Sequence, residues 1–251
     1  MVRLPLPLTM LLALAVPAAA QAPVGELSFS PAKPAKATTG TLAARDLPPD
    51  PEGAPPVDLL AVALQKGFLA DPKGAPGRCT EGEASQVSCP EPSQIGRGTA
   101  QVEASFLGST RLYTATLGVF VTAERDAGDL AGLSIELREP ETGTVVAVPG
   151  RVVRAGRAGG PELRFEELSK AVPTPPPGFE VRMKSFELSV GRKRTVTRRV
   201  RTKSGRRKRV RTTHAILTTP KTCAGAWTAT LVIGRTDGSE ATQPLSAACG
   251  G

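Results

Sequence analysis

The stretch WTATLVIGRTDGSEATQPLSAAC, Trp227 to Cys249, holds two extended runs around the dipeptide Asp237-Gly238. Asp-Gly favours a two-residue hairpin turn because both residues tolerate the positive φ that such turns demand. Pairing outward from that turn sets Ala226 opposite Cys249, close in sequence to Cys223. A disulfide there would fasten the base of the hairpin. The C-terminal segment therefore predicts a crosslinked antiparallel hairpin.

Similar punctuation runs back along the chain. In VDLLAVALQKGF, Leu60, Val62 and Leu64 fall on one face, the period of two of a half-buried strand. In GTAQVEASFLG, Ala100, Val102, Ala104 and Phe106 alternate with Thr99, Gln101, Glu103 and Ser105. Further strand candidates are RLYTATLGVFVTA, GLSIELREP, GTVVAVPGRVVR, PELRFEEL and FEVRMKSFELSV, separated by Gly, Pro and Asp-Gly. The best helical candidate, around Glu166 to Ala171, is one or two turns. The fold class expected is all-β: an antiparallel β-sandwich, or two small packed β-subdomains, with a protruding basic hairpin. Residues 21–56 form a Pro-rich segment with the first strand, 57–178 the sandwich body and 179–251 a C-terminal β region. The alternative is two subdomains split near VPTPPPG. VDLLAVALQKGFLADPKGAPGRC and FELSVGRK…AILTTPKTC also echo each other as strand, loop, Pro-Lys, cysteine.

The N-terminus reads MVRLPLPLTMLLALAVPAAAQA. A positive Arg3, an apolar run from Leu4 to Val16 and the small residues Ala18-Ala19-Ala20 are the parts of a cleaved signal peptide, residues 1–20, with Ala22 as a second cleavage point. That run is short of the roughly 20 residues of an ordinary span. The expected location is secreted or associated with the cell envelope. Four cysteines, Cys79, Cys89, Cys223 and Cys249, then suggest two disulfides, for which three pairings exist. The sequential pairing, Cys79–Cys89 and Cys223–Cys249, is preferred because each pair brackets a short loop or hairpin. Zinc would want closely spaced pairs such as C-x-x-C, which the sequence lacks.

Charge is concentrated in one place. GRKRTVTRRVRTKSGRRKRVRTTH, Gly191 to His214, carries twelve Lys or Arg and no acid, against a chain total of 32 basic and 23 acidic residues. The rest of the chain is therefore −3 and the whole is +9. Such composition reads as disorder, but β-branched Thr and Val recur through it and favour strands. A three-residue loop Lys203-Ser204-Gly205 sets Thr202 opposite Arg206, Val200 opposite Lys208, Arg198 opposite Val210 and Val196 opposite Thr212, with Val190 and Ile216 on the same face near the base. The cations Arg192, Lys193, Arg194, Arg198, Arg199, Arg201, Lys203, Arg206, Arg207, Lys208, Arg209 and Arg211 then form a candidate polyanion-binding ribbon. Partners of that kind are anionic polymers or a membrane surface, met non-specifically through counterion release. The segment has no aromatic residue for base stacking, so sequence-specific nucleic-acid recognition is not expected.

Chemistry is sparse elsewhere. His214 is the sole histidine, and G-x-S-x-G, G-x-x-x-x-G-K-[ST] and G-x-G-x-x-G are absent. SPAK, Ser30 to Lys33, matches S-x-x-K inside a Pro-rich run without that site's other elements. Glu81, Glu83, Glu136, Glu139, Glu141, Glu166 and Glu167 read as solvated strand and loop positions. No catalytic residue, metal or cofactor is expected. The second functional class is an extracellular hydrolase using a carboxylate pair on a polysaccharide.

CPEPSQIGRGTA (Cys89 to Ala100) and PKTCAGAWTATLVIGRTDG (Pro220 to Gly238) resemble a group of exported actinobacterial proteins of unknown function. These carry a C-P-x-x-S-x-I-G-x-G-x-A block and a P-x-T-C-x-G-x-W…D-G hairpin with a closing cysteine. The resemblance implies a signal peptide, an all-β fold and few histidines, and it carries over no activity. The basic ribbon departs from that pattern.

Overall fold

The computed structural model describes residues 24–45, 54–171, 178–201 and 207–250. The leader, the Lys203-Ser204-Gly205 loop and most of VPTPPPG lie outside them. The fold is all-β. The described residues form fifteen strands: β1 (Val24–Ser30), β2 (Thr39–Arg45), β3 (Val57–Gln65), β4 (Leu69–Ala70) and β5 (Gln94–Phe106), then β6 (Ser109–Thr122), β7 (Asp129–Arg138), β8 (Val145–Val153), β9 (Gly159–Glu166) and β10 (Phe179–Val190). The last five are β11 (Lys193–Arg201), β12 (Arg207–Ala215), β13 (Leu217–Thr218), β14 (Ala226–Arg235) and β15 (Glu240–Ala248).

Eleven strands make one antiparallel sheet in the order β1-β2-β10-β5-β6-β7-β8-β9-β3-β14-β15. The sheet curls until its two ends meet, with Gly25 of β1 packed against Leu245 of β15, so its shape is nearly a barrel. Strands from the N- and C-terminal parts interleave: β10 lies between β2 and β5, and β3 between β9 and β14.

Two apolar clusters fill the interior. One centres on Trp227, fully buried, with Phe29 and Phe68 each 5.7 Å from its ring centre, edge to face, and 4.9 Å from each other. The indole N–H donates to the Thr222 carbonyl, which removes the cost of burying a donor. The other gathers Ile95, Val119, Val121, Leu133, Phe165 and Ile216. The short ladder between β13 and β4 joins the two segments that echo each other in sequence. At its edge, consecutive side chains go to different clusters, Ile216 to the second and Leu217 to the first.

Both disulfides form as the sequential pairing predicts, Cys79–Cys89 and Cys223–Cys249, with Cα separations of 5.1 and 6.0 Å. Structural disulfides belong to oxidising compartments outside the cytosol, and no described helix is long and apolar enough to cross a membrane. The C-terminal hairpin slips by one residue from the expected register: Ala226 faces Ala248, not Cys249. Its turn has three residues, Thr236-Asp237-Gly238, closed by the Arg235 N–H donating to the Ser239 carbonyl, with Gly238 at φ 83°. Burial dictates the slip. Trp227, Ala229, Leu245 and Ala247 must share the inward face, and a two-residue turn would set Trp227 opposite the exposed Ala248.

Candidate functional site: an arginine-faced ribbon

The ribbon begins where β10 ends. Gly191 sits so close to β2 that an added Cβ would lie 2.6 Å from the Thr39 Cα, so only glycine lets the chain leave the barrel here. Its N–H donates to the Ile95 carbonyl, and the Ile216 N–H donates to the Arg192 carbonyl on the returning strand. Val190 and Ile216 meet in the second core cluster, as the expected face requires.

Three charged or titratable side chains clamp this root. The Arg192 guanidinium donates to the carbonyls of Glu91 and Gln94, at 2.9 and 2.6 Å, and Arg194 donates to that of Pro76. His214 Nδ1 lies 2.7 Å from an oxygen of Asp71, whose other oxygen accepts from the Lys73 N–H. Arg192 and Arg194 are thus engaged with the body, and the free cations begin further out.

Beyond the root, β11 and β12 form a separate two-stranded antiparallel ladder. Its register is the one read from sequence: Val196↔Thr212, Arg198↔Val210 and Val200↔Lys208. The pair Thr202–Arg206, with Lys203, lies outside the described residues. Directly opposed residues share a face, which divides the ribbon into two unlike sides. One side mixes Val196, Val200 and Val210 with Arg198 and Lys208. The other is nearly all arginine toward its far end, with Arg199 opposite Arg209, Arg201 opposite Arg207, and Arg211 one row nearer the root. Lys193 stands at the base of that second side.

From Arg198 to Arg211 the described cations are exposed, and none of them is ion-paired to a described residue. Arginines placed across a ladder repel, and that arrangement costs a few tenths of a kcal/mol or more per pair. With side chains repeating about every 6.7 Å along each strand, the face is a regular grid of donors with five N–H groups per guanidinium. An oxyanion polymer laid along it would relieve the repulsion.

A concave site lies elsewhere, where Asp58, Asp126, Glu166 and Glu167 line an open cleft of about 480 Å³ with Arg125, Arg151 and Arg164. Arg151 bridges Asp126 and Glu166, and Arg164 holds Glu166 at 2.6 Å. Burial works against the Glu166 charge, but hydrogen bonds and charge from Arg164 and Arg151 outweigh it and hold the carboxyl below its ordinary range. An ionised, doubly paired carboxylate is poorly suited to donate a proton. Two glutamates expected to be solvated are instead buried. Glu136 accepts from the Cys89 N–H and Arg138 and so pins the first disulfide loop, while Glu139 accepts from the backbone N–H groups of Glu141 and Thr142. Both carboxylates are tolerated inside because hydrogen bonds replace the water they lose. Among the described residues no group of three or more His, Cys, Asp or Glu is arranged to hold a metal ion.

No family model, curated protein or solved structure matches this chain.

Proposed function

We propose that this is an exported, non-catalytic β-rich protein that contacts anionic cell-envelope or extracellular polymers through the arginine face of its ribbon. The carrying observation is the opposition of Arg199 to Arg209 and Arg201 to Arg207 with no described carboxylate in reach. An arrangement that costs stability in isolation is supported by what binds to it. The leader-like N-terminus, the two disulfides and the likeness of the Cys89 and Pro220 motifs to exported proteins agree on the compartment. Contact of this type is sequence-independent and weakens as salt rises, because it draws on released counterions. The body, at −3 outside Gly191–His214, would not compete for the same polymer.

The test is retention on immobilised heparin, used as a model polyanion. The parent protein is retained and elutes with rising salt. A variant with Arg198, Arg199, Arg201, Arg207, Lys208 and Arg209 all changed to Thr elutes near the void at low salt. Both disulfides and the far-ultraviolet β spectrum stay intact in that variant, because the ribbon shares no ladder with the barrel. Equal retention of the two proteins would remove the ribbon from the reading.

A further inference from the structure

At the other end of β10 the sheet throws out a second projection. β2 pairs with β10 only from Phe186 onward, and β7 pairs with β6 only from Thr116. Residues 179–185 of β10, 101–106 of β5 and 109–115 of β6 therefore run on as a three-stranded arm about 20 Å long. The register sorts its side chains by face. Met183, Val102 and Tyr113 form one row and Val181, Ala104 and Arg111 the next, while Arg182, Glu103 and Leu112 share the opposite, more polar face. Val181 is 52% exposed and Met183 41%.

The apex departs from turn chemistry. Phe106 pairs with Ser109, so the turn is Leu107-Gly108, with φ of 48° and 79°. Two positive φ values define the turn that favours Asn-Gly. Here the first position holds a leucine, 84% exposed and in a backbone region that γ-branched side chains avoid. A residue that is unfavourable both in its backbone and in water points to something outside the chain that receives it.

We infer that this arm inserts its apolar face and Leu107 apex into the interfacial zone of a lipid bilayer. The apex is convex, so a fluid apolar phase can surround it without a matching pocket. Behind it stand Tyr113 and Arg111, the guanidinium 5.1 Å from the ring centre and ion-paired to Glu141 at 2.5 Å, a phenol and a charge pair at the depth of the headgroups. Counting Glu103, Glu180, Arg111, Arg182 and Lys184, the arm's net charge is +1, so apolar burial rather than charge drives the contact.

Flotation with uncharged phosphatidylcholine vesicles tests this, on the full chain and on the chain lacking residues 1–20, so that the leader's own affinity is subtracted. The parent floats with the vesicles, independent of salt. The double variant Leu107→Asn, Val181→Thr loses at least tenfold in partitioning, yet keeps its heparin retention. The six-fold Thr variant of the ribbon floats as the parent does, which separates this inference from the proposed polymer contact. Equal flotation of the double variant, or no flotation of the parent, overturns the inference. A concentration-dependent dimer that the double variant abolishes, without vesicle binding, also overturns it and assigns the face to a second copy.

Discussion

Leu107 carries the sharpest residue-scale prediction. Asparagine is several-fold more tolerant of the left-handed region than leucine, and it exposes no apolar surface in water. Leu107→Asn alone should therefore stabilise the protein by about 0.5–1 kcal/mol, within the roughly 1–2 kcal/mol that a left-handed backbone costs a side chain with Cβ. Chemical denaturation checks it: the midpoint rises with no change of slope. A fall would mean that Leu107 packs favourably on the folded chain, and would weaken the case for an external receiver. Single residues are also where sequence reading stumbles. Glu136 and Glu139 stand in strand and turn contexts that usually face solvent, yet both are buried. What buries them is a disulfide loop 47 residues away and a tight turn, and only the first of these is non-local.

At the scale of elements, the ribbon gives up stability of its own to concentrate charge. The double variant Arg207→Glu, Arg209→Glu converts two like-charged cross-strand pairs into attractive ones, with Arg201 and Arg199 as the unchanged partners. Each pair should gain about 0.2–1 kcal/mol locally. Hydrogen exchange of the β11 and β12 amides should slow in that variant, while heparin retention falls. Faster exchange would show that the arginine grid is not under repulsion. The register of this ribbon is legible because Val and Thr recur symmetrically on either side of Ser204-Gly205 in the sequence. The C-terminal hairpin is legible as an element but not in register, since its turn dipeptide fits loops of two or three residues and the inward face makes the choice. Thr80-Glu81-Gly82-Glu83 is the signature of a capping box and forms one on the short helix Glu81–Ser85. No extended periodic run follows it, which hides it from a reading based on periodicity. The Pro-rich N-terminal stretch holds two strands, β1 and β2, where one was expected. β1 alternates, Leu27 and Phe29 inward against exposed Glu26, Ser28 and Ser30, but β2 buries Leu42, Ala43 and Ala44 in succession and is held in place by lying between β1 and β10.

Over the whole molecule, non-local pairing decides what the sequence leaves open. Nothing in FEVRMKSFELSV announces that it lies between β2 and β5, yet that placement sets the ribbon at one end of β10 and the arm at the other. The sheet also assembles the charge network: Arg151 on β8 reaches Glu166 on the neighbouring β9, and Arg157, between those two strands, holds Glu240 on the distant β15. Glu166, Glu139 and Glu240 all have carboxyl groups held below their ordinary range, Glu139 mainly by the Thr142 hydroxyl and Glu240 by Arg157. A group whose folded pKa is depressed contributes stability above its unfolded value, about 4.3 for Glu, and that contribution disappears as pH falls through the folded value. The barrel should therefore lose melting temperature as pH drops below about 4.5. Glu166→Gln removes one of the three contributions. That variant should melt lower than the parent at pH 7 and show a shallower decline between pH 5 and pH 3, with heparin retention unchanged at either end. A decline as steep as the parent's would mean that the Arg151–Glu166–Arg164 cluster holds no more together in the folded barrel than in the unfolded chain, leaving the cleft's carboxylates available for chemistry after all.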